Sequence, residues 1–167
     1  MFLNYGNILS TIILPVGIHF FILHSCISLY RLSRILLVDD EADLMELYRD
    51  ALCSAGHEVY GFADPLVAYT HFQENSGLYD AVISDVRMQG MSGIQLAKNL
   101  KEIRNDVQVF LMSAFEISEE HNSDLKQIEL KEFLQKPFHM QQLLAMVEKH
   151  ITQRAITNSI PIGSAVI

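Results

Sequence analysis

Basic residues are scarce in this chain of 167 residues: 12 Lys and Arg stand against 20 Asp and Glu, for a formal net charge of −8. An acidic domain of this kind has no electrostatic footprint for nucleic acid, so no nucleic-acid partner is expected. It suits a divalent cation and basic protein partners better. Cysteine is limited to Cys26 and Cys53, which excludes a disulfide scaffold; both are read as free thiols in a reducing compartment. Charge is missing altogether from residues 1–30, so all 32 charged residues fall within 31–167. There is no internal repeat and no low-complexity segment. Half of the residues are hydrophobic, enough for one real core plus an appendage.

The uncharged beginning holds a mostly apolar stretch of 23 residues, Ile8 to Tyr30. It is long enough to cross a bilayer as a helix. His19 and His24 interrupt it, and Pro15 and Gly17 are tolerated in membrane helices. Arg31 and Arg34 follow at once, which by the positive-inside rule places the rest of the chain in the cytoplasm, tethered to the inner face of the membrane. A cleaved signal peptide fits less well, because no basic region precedes the apolar run. The competing reading is a misassigned start, with translation beginning near residue 29–33, since the domain opens abruptly at Ser33. The expected division is therefore 1–32 as an apolar, helical N-terminal segment, 33–151 as the domain, and 152–167 as an irregular tail carrying Pro161 and Gly163.

Within 33–151, strand and helix patterns alternate five times, which implies an α/β fold with a parallel sheet covered on both faces. Strands are expected at 34–38, 58–62, 80–84, 107–112 and 132–135. Helix one, 42–55, places Leu44, Leu47, Tyr48, Ala51, Leu52 and Ala55 on one face, and Gly56 stops it. Asp64 and Pro65 have N-cap and first-turn character for helix two, 65–75. Ser92 and Gln95 have capping-box spacing for helix three, 93–103, with Ile94, Ala97, Leu100 and Ile103 inward. Helix four, 117–127, has poor apolar spacing. Helix five, 139–151, shows Met140, Leu143, Leu144, Val147 and Ile151.

Reactive side chains gather at the ends of these strands. Asp39 and Asp40 follow the first, Asp85 the third, Ser113 the fourth and Lys136 the fifth. In an open parallel sheet, that carboxyl edge is where ligands bind. Carboxylates converging on one point repel each other unless a cation sits among them. Oxygen donors in a small, partly hydrated site favour Mg²⁺, which keeps several waters and takes one or two protein carboxylates. Taken singly, each residue has a plain structural role: Asp40 and Glu41 an acidic helix start, Asp85 a turn residue, Ser113 a cap, Lys136 a solvated lysine. Their common register argues for a nucleophilic carboxylate at Asp85. The negative charge of an incoming phosphate would be offset there by Mg²⁺, Lys136 and the Ser113 hydroxyl.

The runs Ile35-Leu36-Leu37-Val38-Asp39-Asp40-Glu41, Asp85-Val86-Arg87-Met88 with Met91-Ser92-Gly93, Ser113-Ala114 and Lys136-Pro137-Phe138 resemble the receiver domain of two-component response regulators, of the stand-alone chemotaxis kind. The resemblance covers about 33–151. It implies a flavodoxin-like, doubly wound five-stranded sheet of order 2-1-3-4-5. Asp85 would be the phosphoacceptor, served by a histidine kinase or phosphotransfer protein, and a downstream protein target would be signalled by contact. Asp39 and Asp40 would form the acidic pair, with Asp40, Asp85 and the backbone carbonyl of Arg87 on Mg²⁺. Lys136 would bind the phosphoryl group, Ser113 and Phe133 would be the switch pair, and the Lys136–Pro137 bond would be cis. Only autophosphorylation and slow loss of phosphate would be expected as activity, with Arg87 and Phe115 limiting access of water. Three departures stand out: Gln89 where the family usually has proline, Ser113 for threonine, and Glu129-Leu130 where a small pair is usual. The sixteen residues after helix five are too few for a DNA-binding module. The alternatives are a Mg²⁺-dependent aspartate-nucleophile phosphatase, against which Arg87 occupies the place of the second Asp, and a degenerate receiver acting as an adaptor.

Overall fold

The computed structural model describes residues 33–115 and 122–159. Five strands alternate with five helices. They are β1 (Arg34–Val38), α1 (Ala42–Ser54), β2 (Glu58–Phe62), α2 (Pro65–Asn75), β3 (Ala81–Asp85), α3 (Gly93–Ile103), β4 (Gln108–Ser113), α4 (Asn122–Gln127), β5 (Glu132–Gln135) and α5 (Met140–Ser159). A short 3₁₀ turn, Ser76–Leu78, leads into β3. All strand pairs are parallel, in the order β2-β1-β3-β4-β5. The expected α/β sheet and its order are thus found.

Alternation along the strands sends successive side chains to opposite faces. Leu36, Val38, Val82, Val109 and Leu111 meet Phe72, Ile94 and Leu100 of α2 and α3. Ile35, Leu37, Ile83, Phe110 and Met112 meet Met45, Leu52, Leu143 and Val147 of α1 and α5. Because β1, β3 and β4 are covered on both sides, they read as unbroken apolar runs. The chain winds one way from β1 to β2 and the other way from β3 onward. This opens a crevice at the carboxyl ends of β1 and β3.

The caps act as their residues suggest. The Asp64 side chain accepts from the Leu66 and Val67 amides, with Pro65 in the first turn. Ser92 Oγ accepts from Gln95 N–H at 3.2 Å. Gly56, just past α1, has φ 97°, a conformation that costs glycine nothing. The α1 N-cap Glu41 makes no side-chain cap bond. Its amide instead donates to Asp39 Oδ1 at 3.1 Å.

Several expectations are corrected. Leu47 is 54% exposed and Ile103 37% exposed, whereas Met45 and Leu96 are buried. The expected stripes hold at Tyr48 and Leu52 of α1 and at Ile94, Ala97 and Leu100 of α3, all buried. Met45 and Leu96 widen the buried faces, and Ile103 sits at the last position of α3. The chain from 152 to Ser159 is helical rather than irregular, since α5 runs on to Ser159. No Gly or Pro interrupts that stretch, and the first breaker in the sequence is Pro161. Helix α4 is described from Asn122, so the earlier part of the expected 117–127 lies outside the described residues. So does the apolar segment Ile8–Tyr30. Among the described residues no helix is long and apolar enough to cross a membrane.

Candidate functional site

β1 delivers Asp39 to the crevice and β3 ends on Asp85. Lys136, just past β5, reaches back between them. Its ammonium lies 2.8 Å from Asp39 Oδ2 and 2.6 Å from Asp85 Oδ1. The lysine side chain is 12% exposed, Asp39 0% and Asp85 9%. Two buried carboxylates thus share one cation. Burial pushes the Asp39 carboxyl above its ordinary range, while Lys136 and the Glu41 N–H pull it back. For Lys136, burial works against the charged form, yet the bonds to Asp39 and Asp85 outweigh it and hold the ammonium well above an ordinary lysine. It stays charged throughout the neutral range.

The β3–α3 loop is tied to this edge by backbone amides. Arg87 N–H donates to Asp85 Oδ2 at 2.6 Å, and Gln89 N–H donates to Asp40 Oδ2 at 2.9 Å. Gly93 N–H closes the loop on Val86 O at 3.0 Å. A Cβ at Gly93 would collide with the Asp85 carbonyl oxygen, so only glycine lets α3 start against the end of β3. Ser84 Oγ donates to that same Asp85 carbonyl at 2.9 Å.

Ser113 is buried at the end of β4, and its Oγ accepts from Phe115 N–H at 3.0 Å. Its carbonyl accepts from Lys136 N–H at 2.7 Å, which pins the lysine backbone. The Lys136–Pro137 peptide is cis. Phe133 pairs in register with Leu111, two residues before the Ser113–Gln135 pair, and is half-buried against the α2–α3 side of the core. It therefore shares Ser113's face of the sheet. The Arg87 guanidinium lies over the exposed Phe115 ring, 3.8 Å from its centroid, a cation–π contact that roofs the crevice. On the other side Tyr48 stacks on Phe138 at 5.3 Å, with Lys136 Nζ 5.8 Å from the Tyr48 ring centre.

Asp39, Asp85 and Lys136 are therefore brought into direct contact. Asp40 stands at the rim, exposed, joined through Gln89. Among the described residues no three His, Cys, Asp or Glu side chains form a ready-made metal cage. The donor set is nevertheless all oxygen, and carboxylate outnumbers ammonium. A hydrated Mg²⁺ held by few carboxylates is compatible with it. Sequence reasoning missed Gly93 and Ser84 as supports of Asp85, and Tyr48 beside Lys136. A glycine directly after an N-cap serine was the available signal for the first.

Residues 35–148 match the response regulator receiver domain family. The chain belongs to that family: it is a receiver domain of two-component signalling systems. Over 118 residues it is 31% identical to the receiver protein CpdR of Brucella abortus, covering 71% of this chain and 96% of CpdR. It is 34% identical to the regulatory protein VanRB of Enterococcus faecalis, of which it spans 50%. Among solved structures it is similar to TrrA of Thermotoga maritima in complex with Mg²⁺ and BeF, with 32% identity and TM-score 0.60, covering 71% of this chain and 98% of TrrA. The chemotaxis protein CheY4 of Vibrio cholerae matches with 27% identity and TM-score 0.63, over 71% and 98% of the two chains.

Proposed function

We propose that Asp85 accepts a phosphoryl group from a histidine kinase or phosphotransfer protein and that the resulting change of surface is read by a downstream protein. The observation that carries this reading is the Lys136 ammonium held between buried Asp39 and Asp85. A cation held this way beside a nucleophilic carboxylate is placed to meet the negative charge of an incoming phosphoryl group. In the transfer, a P–O bond forms to an Asp85 oxygen and the P–N bond of the donor phosphohistidine breaks. The electron pair returns to the imidazole, which takes a proton from solvent. Lys136 turns from carboxylate to phosphoryl oxygen, and Asp39 keeps it aimed.

Asp40, Asp85 and the Arg87 carbonyl are the groups that would hold Mg²⁺; that TrrA was solved with Mg²⁺ and BeF supports an ion at this kind of site. When bound, the ion neutralises charge on the transferring phosphoryl group. Ser113 then leaves the Phe115 amide for a phosphoryl oxygen, and Phe133 turns into the freed space, reshaping the α4–β5 surface. Arg87 is committed to Phe115 and carries no titrating carboxyl, which speaks against the phosphatase alternative. The uncharged run Ile8–Tyr30 supports a tether to the inner face of the membrane.

Incubation with Mg²⁺ and acetyl phosphate tests the reading. Wild type should gain one phosphoryl group in mass and Asp85→Asn none. Equal gain in both would overturn it.

A further inference from the structure

Two of the three groups assigned above to Mg²⁺, Asp40 and Asp85, are each bound by an amide of one short loop. The third, the Arg87 carbonyl, lies in that loop between those two amides. Arg87 N–H holds Asp85 Oδ2 at 2.6 Å, and two residues on, Gln89 N–H holds Asp40 Oδ2 at 2.9 Å. Asp40 is exposed, and the Gln89 bond spans 49 residues of sequence. An exposed carboxylate otherwise samples its rotamers freely, and ordering it opposes metal binding. Gly90 follows with φ 84°, and a Cβ there would meet nothing within 4 Å. The glycine is thus required by backbone conformation alone.

We propose that the backbone N–H of Gln89 is a positioning group for the cation site. It fixes Asp40 through Oδ2, leaves Oδ1 as the ligand oxygen, and ties Asp40 to the same loop that supplies the Arg87 carbonyl. This rests on the assignment of Asp40, Asp85 and Arg87 to Mg²⁺. The donor belongs to the main chain, so every residue but proline keeps it; proline deletes the N–H, and its ring also fixes φ at 89 and restricts Met88. Linkage makes the effect reciprocal, so Mg²⁺ should protect the Gln89 amide against exchange.

The test is Mg²⁺ titration of the unphosphorylated full chain by calorimetry, comparing wild type, Gln89→Ala, Gln89→Pro and Asp40→Asn. Outer groups that orient metal ligands typically carry tenfold or more in affinity; for this exposed carboxylate a loss of about threefold to tenfold is expected in Gln89→Pro. Gln89→Ala should match wild type. Circular dichroism checks that Gln89→Pro is folded; if it is not, amide exchange of Gln89 in wild type decides, with Mg²⁺ expected to slow it. Wild-type affinity in Gln89→Pro, equal loss in Gln89→Ala, or Gln89 exchange indifferent to Mg²⁺ would overturn the proposal. If wild type and Asp40→Asn bind Mg²⁺ alike, the ligand assignment itself falls.

Discussion

Replacing Lys136 with methionine keeps most of the side-chain volume and removes the one ammonium between Asp39 and Asp85. Both carboxylates then lose their shared cation while Asp39 is fully buried and Asp85 almost so. Removing one partner of a buried ion pair costs roughly 3–5 kcal/mol. The 12% exposure of the lysine and the N–H bonds already made to Asp39 and Asp85 favour the lower end, so the expected loss at pH 7.5 is about 3 kcal/mol. For a domain of this size that is a fall in Tm of about 10 °C. The loss should depend on pH. Burial already raises the Asp39 pKa in the native protein, and deleting the cation raises it further. An acid whose folded pKa exceeds its unfolded value binds more protons folded than unfolded. Stability therefore rises as pH falls through the folded pKa, and the variant's deficit should shrink between pH 7.5 and 4.5. Urea unfolding of both proteins at several pH values measures this. A deficit below about 1 kcal/mol, or one that is flat with pH, would refute the claim that the lysine neutralises two buried charges.

Three further outcomes are expected. Arg87→Ala with Phe115→Ala removes a cation–π roof of about 0.5–1 kcal/mol and should shorten the phosphorylated lifetime about twofold to fivefold; an unchanged decay of the phosphorylated species would refute the roof. Glu129→Gly should stabilise the domain by about 1 kcal/mol, raising Tm by about 3 °C. Glu129, at φ 48°, holds the left-handed position of a Schellman turn after α4, in which Leu130 N–H bonds Leu125 O and Glu129 N–H bonds Lys126 O. A lowered Tm would show that the Glu129 side chain matters more than its backbone. Gly93→Ala forces the start of α3 off the Asp85 carbonyl and should cost about 1–3 kcal/mol together with slower labelling by acetyl phosphate; a variant matching wild type in both would contradict that close approach.

Much of this architecture was legible because its determinants are local. Asp64-Pro65, Ser92 with Gln95, and Gly56 name their own helix ends, and strands buried on both faces announce themselves as apolar runs. The placement of Asp39, Asp85 and Lys136 on one edge followed from counting strand ends. What stayed hidden depends on geometry between elements. Leu47 and Ile103 fit the helical stripes, yet they are exposed, while Met45 and Leu96 join Tyr48, Leu52, Ile94, Ala97 and Leu100 in the core. The Gln89–Asp40 bond is made by a main-chain amide, and no side-chain identity encodes it. The Glu129-Leu130 pair stands where a small pair is usual. It closes α4 with ordinary C-terminal hydrogen bonds, at the cost of a left-handed glutamate.

The central claim is that the Asp85 carboxylate, and no other group, takes the phosphoryl. An acyl phosphate is reduced by borohydride to an alcohol, which converts aspartyl phosphate to homoserine. Mass-spectrometric sequencing of the protein after acetyl phosphate, Mg²⁺ and borohydride should find homoserine at position 85 alone. Homoserine at 39 or 40, or phosphate retained on a serine or histidine with residue 85 unchanged, would contradict the account.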